Sequence, residues 1–99
     1  MNLSIQFVKM PSSEALTAYT QKKFEKLEKK YSWLIHAEVS FKVNNDDVTK
    51  GKICEAELSL PGPRIFAISN EKNFEMAVKE TISDLEKQLK KRKATFSHH

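Results

Sequence analysis

Residues Ser13–Tyr31 read SEALTAYTQKKFEKLEKKY, and the way this stretch sorts its side chains decides how the rest of the chain is read. At about 100° per residue, Leu16, Tyr19, Phe24, Leu27 and Tyr31 fall on one arc, the mark of a helix packed along one side. The five lysines, Lys22, Lys23, Lys26, Lys29 and Lys30, share an arc of roughly 120° beside that stripe. Glu14, Glu25 and Glu28 fall on the other flank. A helix that is only solvated usually mixes its signs, with a glutamate four residues before a lysine. Sorted signs beside a buried stripe predict a surface for a polyanion.

Working outward, residues 1–8 alternate Leu3, Ile5 and Phe7 against Asn2, Ser4 and Gln6, a half-buried strand. Lys9-Met10-Pro11 breaks it, and Ser12 or Ser13 caps the helix with Glu14 in its first turn. After the helix, Ile35–Val43 places Ile35, Ala37, Val39, Phe41 and Val43 inward. A polar loop from Asn44 to Gly51 follows. Lys52–Leu60 buries Cys54, Ala56, Leu58 and Leu60. Pro61-Gly62-Pro63 turns the chain into a short strand over Arg64–Ser69. Asn70 is expected to cap a long helix with Phe74, Val78, Thr81, Ile82, Leu85 and Leu89 on one stripe, fading through Lys90–Lys93 into a frayed tail, 94–99.

This order predicts an α+β fold, a two-layer β-α-β-β-β-α sandwich. A right-handed crossover makes the first two strands parallel, and short turns make the last three antiparallel, giving a four-stranded mixed sheet. Both helices then run in the same direction on one face, so their C-terminal ends meet. The architecture is similar to a double-stranded-RNA-binding fold with an extra first strand. Residues 1–99 form a single domain on this reading, with an ordered core of about 1–93.

The formal net charge of +4 conceals a strong asymmetry. Residues 1–31 carry six basic and three acidic groups, residues 32–86 six and ten, and residues 87–99 five and none. Lys87, Lys90, Lys91, Arg92 and Lys93 therefore end the second helix without an acid among them. The helix dipole favours terminal cations by only about 0.3–1 kcal/mol each, which explains two or three of them and not five. Pooled with the lysine flank of the first helix, they predict one basic, anion-binding surface. The opposite sheet face reads Asn2, Ser4, Gln6, Glu38, Ser40, Glu55, Glu57 and Ser59, polar and acidic. It lacks the stacking aromatics of a sheet that binds single-stranded RNA.

Other chemistry is not supported. Cys54 is mid-strand and reads as a small buried hydrophobe; as the one cysteine it forms no internal disulfide, which fits a reducing cytoplasm. His36, His98 and His99 make no ligand set, and Asp46-Asp47 lacks the pattern of a calcium loop. Glu55 and Glu57 share a face without a base or metal beside them, and Gly51 and Gly62 make no phosphate loop. No catalytic residue, metal, cofactor or small-molecule substrate is expected. No stretch of about 18 apolar residues exists to cross a membrane, and the N-terminal residues do not read as a signal peptide.

The β-α-β-β-β-α order, the SEALTAYTQKKFEKLEKKY helix, the AEVSFKV strand and the DLEKQLKKRK helix ending together resemble the ribosome hibernation promoting factor family. Its members are also called ribosome-associated inhibitor A or sigma-54 modulation proteins. The resemblance implies a non-enzymatic translation inhibitor of the stationary phase or stress. Such a protein binds 16S rRNA in the A- and P-site channel of the small ribosomal subunit and blocks mRNA and tRNA. Carried over by position, the family's basic residues fall on Lys23, Lys26, Lys87 and Lys91, with Arg92 and Lys93 beside them. Lys22, Lys29, Lys30 and Lys90 join them by helical geometry. The opening NFEMAVKET of the second helix departs from the family's smaller, more apolar pattern. The absence of a further dimerisation domain reads as a short form, which would need a separate ribosome modulation factor to pair ribosomes. Two other readings compete: a general duplex-RNA binder, and a protein-interaction module acting on a transcription factor through Glu38, Glu55 and Glu57.

Overall fold

The computed structural model describes residues 1–96, so the expectation about His98 and His99 lies outside the described residues. The elements run β1 (Asn2–Phe7), α1 (Glu14–Lys30), β2 (His36–Val43), β3 (Lys52–Ser59), β4 (Ile65–Glu71) and α2 (Phe74–Phe96). The sheet order is β1-β2-β3-β4. β1 pairs parallel with β2, and β2–β3 and β3–β4 are antiparallel. This is the expected α+β mixed sheet.

Alternation in each strand sends one set of side chains beneath the helices. Ala37, Val39 and Phe41 of β2, Cys54, Ala56 and Leu58 of β3, and Ile65 and Ala67 of β4 are buried. From above they meet Leu16, Phe24 and Leu27 of α1 and Ala77, Val78, Leu85 and Leu89 of α2. Phe41 lies at the centre of the sheet, its ring 5.4 Å from those of both Phe7 and Phe74. Thr81, fully buried on α2, donates its hydroxyl to Ser69 Oγ at 3.0 Å, so the polar atom is satisfied inside the core. Burial pushes the Cys54 thiol up to about 11, as an inert core residue requires.

α1 begins where Ser13 Oγ accepts the Leu16 amide at 3.1 Å, and it closes with Tyr31 N–H on the Leu27 carbonyl. The start of α2 differs from expectation. Asn70 still belongs to β4, and Asn73 caps the helix by accepting the Met76 amide at 2.8 Å. Asn70 instead ties down the β2–β3 loop: its Oδ1 accepts from Gly51 N at 2.7 Å and its amide donates to Asp47 Oδ2 at 3.0 Å. A long-range side-chain bond outcompetes a local cap, and no local pattern announces it.

Two further expectations are corrected. Ile35 is 58% exposed, because the chain enters β2 only at His36 and Leu34 takes the core position. α2 continues to Phe96 instead of fraying from Ala94, because the Phe96 ring packs edge-on to Trp33 at 5.0 Å. Trp33 in turn meets Tyr31 at 5.7 Å, closing the core at that end.

Candidate nucleic-acid interface

The ridge depends on the helices running the same way, and their contacts show that they do. Lys30 Nζ meets Glu86 Oε2 at 2.9 Å, and further along Trp33 meets Phe96. Later residues of one segment pair with later residues of the other, so both C-terminal ends lie at one end of the molecule.

The two flanks of α1 face different neighbours, as the sorted charges require. Lys23, Lys26 and Lys30 line a groove of about 180 Å³ together with Leu27 of α1 and Ile82 and Glu86 of α2. On the opposite flank Glu28 takes the amino group of Met1 beside β1. Lys22 and Lys29 follow the groove row on the solvent side of α1. Tyr19, one turn before Lys23, lies under that residue's ammonium, 5.4 Å from its ring centre. Its hydroxyl is buried with no hydrogen-bond partner among the described residues.

α2 spreads its cations around the helix more than a single row would. At 100° per residue, Lys90 and Lys93 turn toward α1 with Ile82 and Glu86, and Lys87 points outward. Lys91 and Arg92 lie on the other side, beside Ile65, Gln88 and Thr95. The Arg92 guanidinium donates to the Pro61 and Pro63 carbonyls at 2.7 and 2.8 Å. It staples the β3–β4 turn, and this flank of α2 stands apart from the groove. Among the described residues, Lys22, Lys26, Lys29, Lys87, Lys90 and Lys91 have no hydrogen-bond or ion-pair partner. Six uncompensated cations on one helical layer form a surface suited to phosphates.

The residue that sequence reading missed is Glu86, a carboxylate set among Lys23, Lys26 and Lys30. Its hydrogen bond and charge raise the Lys30 pKa. Burial raises that of Tyr31, and Glu86 adds to the effect. The signal was present: Ile82, Glu86 and Lys90 recur every four residues, the same spacing that sorts α1. The open face also needs correcting. Phe66 of β4 is an exposed aromatic there, because alternation with the buried Ile65 and Ala67 turns it outward beside Glu57. One ring beside Glu57 is still not a base-stacking platform, since the carboxylates repel phosphate.

The profile of the Sigma 54 modulation protein / S30EA ribosomal protein family matches residues 3–96. The chain belongs to this family. Members of the family are ribosome-associated modulation factors and not enzymes, and the hibernation-factor resemblance is thereby upheld. Among solved structures, a ribosomal subunit interface protein from Coxiella burnetii is similar at 28% identity and a TM-score of 0.85, over 95% of this chain and 99% of that one. The N-terminal domain of Protein Y from Thermus thermophilus is similar in fold at 22% identity and a TM-score of 0.78, over 92% of this chain and 98% of that one. No curated protein matches the chain. No helix among the described residues is long and apolar enough to cross a membrane, and no cluster among them could hold a metal ion.

Proposed function

We propose that this S30EA-family protein silences translation by laying its helical layer on 16S rRNA in the A- and P-site channel of the small ribosomal subunit, excluding mRNA and tRNA in stress or stationary phase. The observation that carries this reading is the groove in which Lys23, Lys26 and Lys30 of α1 face α2, continued by uncompensated Lys87 and Lys90. Lysines neutralise phosphates without reading bases, so specificity has to come from the fit of a rigid two-helix wedge to a shaped channel. Lys22, Lys29, Lys91 and Lys93 extend the cationic surface, and Arg92 adds charge while holding the turn. The subunit interface named for the Coxiella burnetii protein is consistent with such a position. The protein works in the cytoplasm, where its target is.

Sedimentation with purified small subunits at two salt concentrations tests this. Six phosphate contacts give a log–log slope of about −4 to −5. The Lys23→Glu/Lys26→Glu/Lys90→Glu variant should lose co-sedimentation while keeping the wild-type unfolding transition. A flat salt response, or unchanged binding by that variant, refutes the reading. Equal affinity for a free RNA duplex would favour a general duplex binder instead.

A further inference from the structure

The side of the molecule facing away from the lysines is not blank. A hollow of about 510 Å³ lies on the open face of the sheet, lined by Glu38, Ser40, Glu55, Glu57, Phe66 and Ile68. Phe66 and Ile68 are 61% and 62% exposed, two large apolar side chains side by side on an edge strand. The register sets two rungs across the face. Ser4, Glu38, Glu57 and Phe66 are neighbours in one, and Gln6, Ser40, Glu55 and Ile68 in the other.

Glu38 and Glu57 thus stand directly opposite each other on adjacent strands, an arrangement that costs stability because like charges repel. A cation between them removes that repulsion. The face already shows what its carboxylates accept: Lys42 Nζ sits 2.6 Å from Glu55 Oε1, and Arg64 Nη1 2.5 Å from Glu57 Oε2. Both are exposed surface pairs of little strength, readily exchanged for an incoming ammonium or guanidinium. Among the described residues Glu38 has only His36, at 3.7 Å, and Asp84 adds a carboxylate at the rim.

We propose that this sheet face docks a basic, extended segment of another protein, its Arg or Lys side chains reaching Glu38 and Glu57 and its apolar side chains resting on Phe66 and Ile68. The stems of Arg and Lys are themselves apolar and pack on such surfaces, with an aromatic face attracting the charged head. Nucleic acid is disfavoured by the four carboxylates. A second copy is disfavoured because an isologous contact turns glutamates onto the same glutamates. The proposal is independent of the rRNA reading, since it uses the opposite layer of the fold.

The test is an NMR titration of the full chain with a peptide alternating arginine and leucine, against one alternating glutamate and leucine. The basic peptide should shift the amides of Glu38, Glu57, Phe66 and Ile68, and the acidic peptide should not. Glu38→Gln/Glu57→Gln should bind about five- to tenfold more weakly, and Phe66→Ser should also weaken binding. Both variants should keep the wild-type circular dichroism and a cooperative unfolding transition, which shows that they are folded. Shifts confined to the helices, equal binding by the variants, or an RNA duplex that shifts the sheet residues would overturn the proposal. So would concentration-dependent shifts of these residues without peptide, which would assign the face to a second copy.

Discussion

Replacing Glu86 by glutamine tests whether the groove itself receives phosphate. Glutamine keeps the shape of the side chain while the negative charge goes, so the ion pair with Lys30 is lost. In the wild type that charge sits 2.9 Å from Lys30 and shares the groove with Lys23 and Lys26, so a phosphate entering there meets three cations and one anion. Removing the anion frees Lys30 for one further phosphate contact. Each contact adds about 0.7–0.9 to the salt slope, which over a fourfold rise in salt is about a threefold larger loss of affinity. Glu86→Gln should therefore bind small subunits more tightly at low salt and with a slope steeper by nearly one. Lys30→Gln should leave the slope nearly unchanged, because that lysine is already paired with Glu86, and in the Glu86→Gln background it should cancel the gain. Glu25→Gln, on the opposite flank of α1, is the control and should leave the slope alone. Small-subunit binding measured by filter retention across a salt series reads all three. If Glu86→Gln leaves the slope unchanged or weakens binding, phosphate does not enter between the helices, and the contact must lie on the outer lysines.

Stability offers sharper checks on the fold. Gly51→Ala should destabilise by about 1–3 kcal/mol in chemical denaturation, because Gly51 has φ of +120° and a Cβ there would lie 2.5 Å from the Asn44 carbonyl oxygen. Leu85→Ala, fully buried beneath α2, should cost about 2–5 kcal/mol without changing the salt slope of ribosome binding. The Glu71–Glu80 carboxyl pair makes a pH prediction. Their mutual hydrogen bond holds Glu71 below the ordinary value of 4.5 and Glu80 above it. The stabilisation from Glu80 is present at low pH, with the proton in place, and is lost as pH rises through its raised pKa. That from Glu71 is lost as pH falls through its lowered one. Glu80→Gln donates at every pH, so its thermal stability relative to wild type should grow as pH goes from about 4 to 7; a constant difference would deny the pair.

Period and sign made most of this architecture legible. The stripe of Leu16, Phe24 and Leu27 and the alternation of Ala37, Val39 and Phe41 depend on local spacing, and all six are buried as expected. Topology then brought the basic ends of two distant helices together. What escaped was whatever depends on a partner far along the chain. Asn70 looks like a cap until Gly51 and Asp47 are placed beside it. Phe96 looks like a fraying end until Trp33 is beneath it. Arg92 looks like a fifth cation of the ridge until the Pro61 and Pro63 carbonyls capture it. Phe66 was a different case, since its exposure followed from the register of β4 with β3 and needed only the strand's parity.

The chain's charge asymmetry becomes an asymmetry of faces. The cations of residues 1–31 and 87–99 stand mostly on the two helices, whereas three of the central acids, Glu38, Glu55 and Glu57, stand on the far side of the sheet. Only one layer of core separates them. A molecule charged in this way turns in the field of a polyanion before it touches it, helices leading and carboxylates trailing. Lysines that make no contact in the final complex then still speed association, and their loss would slow binding with little effect on dissociation. Lys91, on the far flank of α2 with Arg92, separates the two roles. If it only steers, Lys91→Gln lowers the on-rate and leaves the off-rate alone, and a faster off-rate would place a phosphate on that flank as well.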